Sequence, residues 1–362
     1  MKCIKHKLVR EAIDSISQPI SEPVHTNKQS YLLEKGIRKL GWRAIRRLFA
    51  FSISGQKKYL VSNVDSEEWK RCLWLYYDVP QVGDALLDLA PRSLLQEMGI
   101  KVDLYTHKHL ADLFAEDSWL NLVGTDPSTI NTMDYDFVII SSFKWRSLKH
   151  KFFHARKLPW ISIFGKFSGP ELNRAIYSTK KIAEIFNKKL NHLDLAFHGL
   201  QKLSLKKYSN EVTLLPNSVA ITIGGVDSTR TYENWHAVIS GLQNVGVENI
   251  ILIGNENGTV YIPHIMTLQD VGFNIHDHVG KTTLKECRQL MQSTSVIIAA
   301  DGGLMHLAIT CNKPVIGLFN QAINPAWRLP ESLLALSIQS NTRDINDILP
   351  SEIINTVRKI QI

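Results

Sequence analysis

The sequence predicts an α/β protein: two tandem βαβ domains, each on a parallel sheet, facing across a cleft, with a basic helical extension ahead of them. Three observations carry this. Strand-length apolar runs alternate with helical patterns, as parallel strands joined by crossovers require. The alternation comes in two blocks, separated at 171–210 by a lysine-rich stretch with no compact strand. The chain is 362 residues long and 44% hydrophobic, enough for two domains with full cores. At 21% charged residues it falls outside the disordered and low-complexity classes.

The elements follow in order. Residues 1–68 form the extension. Its first 30 residues look irregular, with Pro19 and Pro23. From Tyr31 to Phe51 the pattern turns amphipathic: Ile37, Leu40, Ala44, Ile45 and Leu48 recur at helical spacing. Arg and Lys side chains cover most of the other face, with Trp42 and Phe49 at its flank, while Gly36 and Gly41 weigh against one unbroken helix. The extension also explains the net charge of +8. Residues 1–60 hold 13 Lys/Arg against four Asp/Glu, and the remainder 29 against 30. Two readings of this helix stand: residues 31–58 meet an anionic membrane surface, or the apolar stripe packs on its own domain.

In the first domain, 69–170, strands are predicted at Leu73–Tyr77, Val102–Thr106, Phe137–Ser141 and Trp160–Phe164, with helices over Ala85–Met98 and around Leu110–Phe114. After the connector, 171–210, the second domain (211–345) restarts the alternation. Its strands are Val219–Ile223, Ile250–Ile253, Val296–Ala299 and Val315–Phe319. Helices are expected at Tyr232–Asn244, Lys285–Gln292 and Gly303–Ala308, and a last helix, Glu352–Lys359, lies in the closing segment 346–362.

Compartment and topology follow from absences in the sequence. Four scattered cysteines with no C-x-x-C pair fit a reducing compartment rather than a zinc site or a disulfide framework. The N-terminus lacks the apolar core of a secretory signal, and no run approaches the ~20 apolar residues that span a bilayer. A cytoplasmic location is expected. His276-x-His278 has no third clustered ligand, so surface histidines are expected there, not a metal site.

Open parallel sheets bind ligands at the carboxyl ends of their strands, and four segments fall there. Gly83-Asp84 follows the first strand, Gly for a tight turn and Asp as either a helix cap or a general base for an acceptor hydroxyl. It is not a dinucleotide fingerprint. Gly224-Gly225 and Arg230 suit close approach to phosphate, Arg230 bridging two oxygens of a leaving nucleotide; a solvated loop is the alternative. Asp301-Gly302-Gly303-Leu304, then His306, runs from a buried strand into a helix whose first amides suit a diphosphate. Alone, His306 would be a core histidine. The run 143–157 carries Lys144, Arg146 and Lys149 with four aromatics and no acid. It suits an acidic or phosphorylated acceptor or a membrane, or is a plain solvated helix; nothing besides composition points to nucleic acid.

These segments, in this order, resemble glycosyltransferase family 9, the bacterial heptosyltransferases of the lipopolysaccharide inner core. The most specific stretch runs from Gly280-Lys-Thr-Thr-Leu284 through Asp301-Gly-Gly-Leu-Met-His306-Leu-Ala to Lys313-Pro314 and Val315–Phe319, and the resemblance covers roughly 70–330. It implies a GT-B architecture, with Rossmann-like domains, and an inverting transfer that requires no metal or other cofactor. Asp84 is then the catalytic base, and Gly83, Lys144, Arg146 and Lys149 lie on the acceptor side. Gly224, Gly225, Arg230, Thr283, Asp301, Gly302, Gly303, Leu304 and His306 hold the donor, ADP-heptose. The acceptor is a lipid A/Kdo-type or other lipid-linked saccharide at the inner membrane, where the protein would be peripheral. The resemblance also puts base and leaving-group ligands on opposite domains, so that closure would assemble the site.

Three features depart from the family pattern. Gly302 stands where Ser or Thr is usual, Asn320 where Gly is usual, and about 70 residues precede the first strand of the domain that carries Gly83-Asp84. They keep two alternatives in view: a relative using another nucleotide sugar or surface-glycan acceptor, or a non-catalytic, membrane-associated binding protein.

Overall fold

The computed structural model describes residues 10, 13–14, 28–64, 67–169, 171–204, 213–330 and 334–360. Expectations placed on most of residues 1–27, and on 205–210 of the connector, lie outside them. The chain divides into two compact units: residues 1–80 with 87–200, and residues 81–86 with 201–362. The segment that carries Gly83 and Asp84 therefore groups with the second unit.

The first unit opens with α1 (Lys28–Lys35) and α2 (Ile37–Ile53). They are separate because Gly36 sits at φ +74°, a left-handed conformation that ends one helix before the next begins. Gly41 stays inside α2. Then follow β1 (Arg71–Tyr76), α3 (Val82–Asp88, of which 82–86 group with the second unit), α4 (Arg92–Glu97), β2 (Lys101–Thr106), α5 (Lys108–Phe114), β3 (Leu122–Gly124), β4 (Phe137–Ser142), α6 (Trp145–His154), β5 (Trp160–Gly165), α7 (Arg174–Ile185) and α8 (His192–His198). The single helix expected over 85–98 is two, because Pro91 disfavours a helical residue before it and brings no amide to the ladder. The sheet is parallel, in the order β3-β2-β1-β4-β5.

Part of the extension is built into this unit. Phe51 stacks on Phe143, ring centroids 4.6 Å apart, and meets Trp160 edge-on. The Trp160 indole donates to the Gln56 carbonyl at 2.9 Å, and Leu60 bridges to Trp160 in parallel register. Leu60 and Val61 thus cover the open edge of β5, which would otherwise offer unpaired amides to another chain. The opposite face of α2 stays in solvent, with Trp42, Phe49 and Ile53 each about two-thirds exposed beside Arg38, Lys39 and Arg46.

The second unit contains β6 (Ser218–Ile223), α9 (Trp235–Leu242), β7 (Asn249–Gly254), α10 (Ile262–Met266), β8 (Asn274–Asp277), α11 (Leu284–Ser293), β9 (Val296–Ala300), α12 (Gly303–Ile309), β10 (Val315–Phe319), β11 (Ala335–Gln339) and α13 (Pro350–Ile360). Its parallel sheet runs β11-β10-β9-β6-β7-β8, the doubly wound order whose direction reverses between β6 and β9. Val219, Ile221, Ile298 and Ile316 from the strands pack with Trp235 and Ile239 of α9 and Val357 of α13.

Candidate active site

In the second unit the topological switch point lies between β6 and β9, where a doubly wound sheet opens a crevice at its strand ends. Two of the loops singled out in the sequence end there. After β6, Gly224 takes φ +83°, and a Cβ on it would come within 2.6 Å of the Gly258 amide nitrogen. Both the conformation and the close approach demand glycine. The helix expected to begin at about Tyr232 starts at Trp235; before it comes a 3-10 turn, Ser228–Arg230, capped by Asp227. Thr229 and Arg230 hold the Asp227 carboxyl below its ordinary range, the Thr229 hydroxyl contributing most.

After β9, Asp301 is buried between two arginines. Its Oδ2 lies 3.2 Å from Arg230 Nη1 and its Oδ1 3.5 Å from Arg328 Nε. Burial works against the charge on Arg230, but Asp301 and Asp227 outweigh it and hold the guanidinium above its ordinary value. Asp301 is thus an orienting group for two cations. Two guanidiniums stand against two carboxylates, Asp301 and Asp227, so the cluster is close to neutral at rest, and its oriented N–H donors are what suit a diphosphate leaving with its bonding electrons.

Gly302 is extended (φ 178°), and a Cβ there would meet only the Ala300 carbonyl at 3.7 Å. Nothing in its conformation requires glycine. Asn320, the other departure, is buried; its Nδ2 donates to the Thr229 carbonyl at 3.3 Å and its Oδ1 accepts from the Ala322 amide. It ties the end of β10 to the loop that carries Arg230. Thr283 caps α11 in a reciprocal box with Glu286, which occupies its hydroxyl.

His306 is buried on α12, as Gly83 explains. A Cβ at Gly83 would lie 3.1 Å from Cγ and Nε2 of the His306 ring and closer still to Cδ2. Only glycine lets the chain pass there, and Asp84 follows in the first turn of α3. On the ring's other nitrogen, Nδ1 is 2.6 Å from Gln201 Oε1, while Gln201 Nε2 donates to the Arg328 carbonyl. That second bond sets the amide orientation, so Nδ1 carries the proton. The donation expected of His306 therefore falls to Nε2 and requires the imidazolium form.

Of the acceptor-side candidates, Gly83 groups with the second unit, while Lys144, Arg146 and Lys149 lie in the first. Lys144 Nζ is 3.5 Å from Asp78 Oδ2, and Arg146 Nε 3.8 Å from Oδ1. Lys149 points its influence elsewhere: with burial, it helps push His150 down to about 4. Among the described residues no group of three or more His, Cys, Asp or Glu is placed to hold a metal ion.

Sequence reasoning missed Gln201, Arg328 and Asp78. Arg328 carried a signal, as the sole charged residue between Lys313 and Glu331. Asp78 did too, as an acid two residues beyond a buried strand. Gln201 has no local pattern that marks it.

Known proteins match this arrangement. The model of glycosyltransferase family 9 (heptosyltransferase) matches residues 180–341, which include the Arg230, Asp301 and His306 loops. Residues 180–341 form a glycosyltransferase family 9 domain. That domain makes the protein a glycosyltransferase. No curated protein matches the chain by sequence. Among solved structures, the domain's fold and that of the unit before it are shared with E. coli ADP-heptose lps heptosyltransferase II: 14% identity, 80% of this chain and 98% of that one covered, TM-score 0.60. The glycosyl transferase family 9 structure from Veillonella parvula aligns at TM-score 0.62 and 11% identity, over 81% of this chain and 97% of that one. E. coli heptosyltransferase WaaC with ADP aligns at 0.59 and 12%, over 80% and 99%. The fold class is therefore the expected α/β, GT-B type with a parallel sheet in each unit.

Proposed function

We propose that this glycosyltransferase transfers heptose from ADP-heptose to the inner core of lipopolysaccharide or lipooligosaccharide, with inversion and without a metal. The observation that carries the reading is the Gly83-Asp84 turn packed on His306, in the same compact unit as the Asp301–Arg230–Arg328 cluster. The acceptor hydroxyl oxygen attacks the anomeric carbon while its proton passes to the Asp84 carboxylate. The bond from that carbon to the donor phosphate oxygen breaks, and its electron pair leaves with ADP. Arg230 and Arg328 hold the charge that develops there, work a divalent cation would otherwise do. A single displacement inverts the anomeric centre.

Support for the donor comes from the family domain and from the solved heptosyltransferase that holds ADP. One observation favours a second donor: Gly302 and Asn320 reshape the loop ends where nucleotide or sugar would lie, so a relative using another nucleotide sugar is the alternative. The inner membrane is the proposed place of work. Among the described residues no helix is long and apolar enough to cross a membrane. The exposed face of α2 combines aromatic and basic side chains and suits the surface of an anionic bilayer.

A panel of ADP-, UDP- and GDP-sugars, read by nucleotide release, tests the donor. Asp84→Asn tests the base: transfer is expected to be lost with donor affinity retained, and turnover like the parent enzyme's would refute the assignment.

A further inference from the structure

The two arginines that meet Asp301 stand on supports of the same construction. Arg230 is the last residue of the 3-10 turn Ser228–Arg230, which Asp227 caps by accepting from the Thr229 amide at 3.0 Å. Arg328 directly follows the 3-10 turn Pro325–Trp327, which Asn324 caps by accepting from the Ala326 amide at 3.0 Å. Each arginine's own amide closes its turn, on the Asp227 carbonyl at 3.0 Å and on the Pro325 carbonyl at 2.9 Å. Such short turns have poor hydrogen-bond geometry and hold little by themselves. An arginine rooted in one alone would meet an anion with most of its ordering still to be done.

A buried carboxamide stands behind each turn. Asn320, 4% exposed, donates from Nδ2 to the carbonyl of Thr229, the residue before Arg230, at 3.3 Å. Gln201, also 4% exposed, donates from Nε2 to the carbonyl of Arg328 itself at 2.5 Å. Both amide oxygens are occupied as well. Asn320 Oδ1 accepts from the Ala322 amide at 3.0 Å, and Gln201 Oε1 from His306 Nδ1 at 2.6 Å. Neither carboxamide can turn over without losing both of its bonds. The Asn320 carbonyl is held in its turn by Gln339 Nε2 at 3.2 Å.

Each arginine is therefore gripped at both ends, the backbone by a carboxamide and the guanidinium by Asp301. We propose that Asn320 and Gln201 are positioning residues for Arg230 and Arg328, ordering both guanidiniums before a nucleoside diphosphate arrives. Donors set in place beforehand cost no rearrangement when charge develops. The inference rests on the glycosyltransferase reading and deepens its donor side. It gives work to Asn320, where the family usually has Gly, and brings the connector into the site through Gln201.

The test is a pair of double-mutant cycles on the full chain, read by isothermal titration with ADP and separately with inorganic pyrophosphate. Asn320→Leu and Gln201→Met keep the bulk and remove the amide. Each is expected to weaken binding about tenfold. In the Arg230→Gln background Asn320→Leu should cost about twofold or less, and so should Gln201→Met in Arg328→Gln, since a residue that acts through an arginine loses its effect with it. Exchanging the backgrounds should restore the loss of about tenfold. If either variant unfolds, Asn320→Gly and Gln201→Glu take its place; Gln201→Glu keeps the acceptor for His306 and loses only the donor. Each residue is judged by its own cycle. Equal losses with and without its arginine, or undiminished binding by the single variant, would overturn its assignment. Binding of pyrophosphate without ADP would sink the donor reading and leave the cycles in pyrophosphate to decide. Binding of neither probe would remove the diphosphate site and the proposal with it.

Discussion

Gly83 packs against the imidazole of His306, with ring carbon Cδ2 nearest. The Gly-Asp turn and the histidine of α12, more than 200 residues apart in the chain, are thus one packed contact. Gly83→Ala forces the ring or the turn to move, at a cost of about 1–3 kcal/mol. Thermal unfolding should register the loss in the parent background and much less of it in His306→Ala, where the ring is gone. Equal losses in both backgrounds would mean that the contact is not what demands glycine.

Gly302 predicts the opposite behaviour. Its backbone is extended and a Cβ would make only an ordinary contact with the Ala300 carbonyl, so Gly302→Ser is expected to fold with an unchanged unfolding temperature. A serine restores the hydroxyl usual at this place in the family. One added hydrogen bond should tighten the donor by up to about tenfold. Isothermal titration with the donor that emerges from the nucleotide-sugar panel provides the measurement.

Lys151 gives a pH dependence. It is fully buried; when protonated it donates to Gln56 Oε1 and to the Ala155 and Arg156 carbonyls, and burial pulls it from its ordinary 10.5 to about 7. Between those values the unfolded chain binds the proton and the folded chain does not. Stability from this group therefore rises as pH rises through the window, by at most about 1.4 kcal/mol per unit. Urea unfolding at pH 7 and pH 9.5 should show a gain in the parent protein that Lys151→Met lacks. A gain of the same size in the variant would assign it to other groups.

The solvent face of α2 predicts membrane binding without cutting the chain. Deleting residues 1–60 would also remove Phe51 and Gln56 from the core around Trp160, so point changes are the cleaner probe. Trp42→Ser, Phe49→Ser and Ile53→Ser together should abolish cosedimentation with phosphatidylglycerol vesicles while leaving the unfolding temperature in place. Binding by the parent protein should weaken as salt is raised. A triple variant that still binds would clear this face of the role.

How much of this was legible in the sequence depended on burial. Eight strands, including β1, β4, β6 and β9, are apolar runs because they are covered on both faces. The three not expected, β3, β8 and β11, are all edge strands with broken apolar patterns, half in solvent. β5 is an edge too, yet Trp160–Phe164 stood out, since the extension buries it. The loops after β6 and β9 stood out because glycine and charge at a strand end are rare and informative. Gln201 and Arg328 act through contacts more than 100 residues apart, which no local pattern encodes.

The cover over β5 also has a consequence in time. Gln56 leaves the ribosome 104 residues before Trp160, whose indole it receives. At roughly 5–20 residues per second, that is an interval of about 5–20 s. Until it closes, Phe51 and Tyr59 have nowhere to dock, and α2 offers apolar surface on both sides. The nascent chain therefore carries this apolar segment uncovered until its sheet is made. A slowed ribosome would lengthen the time for which that surface has no partner in the chain.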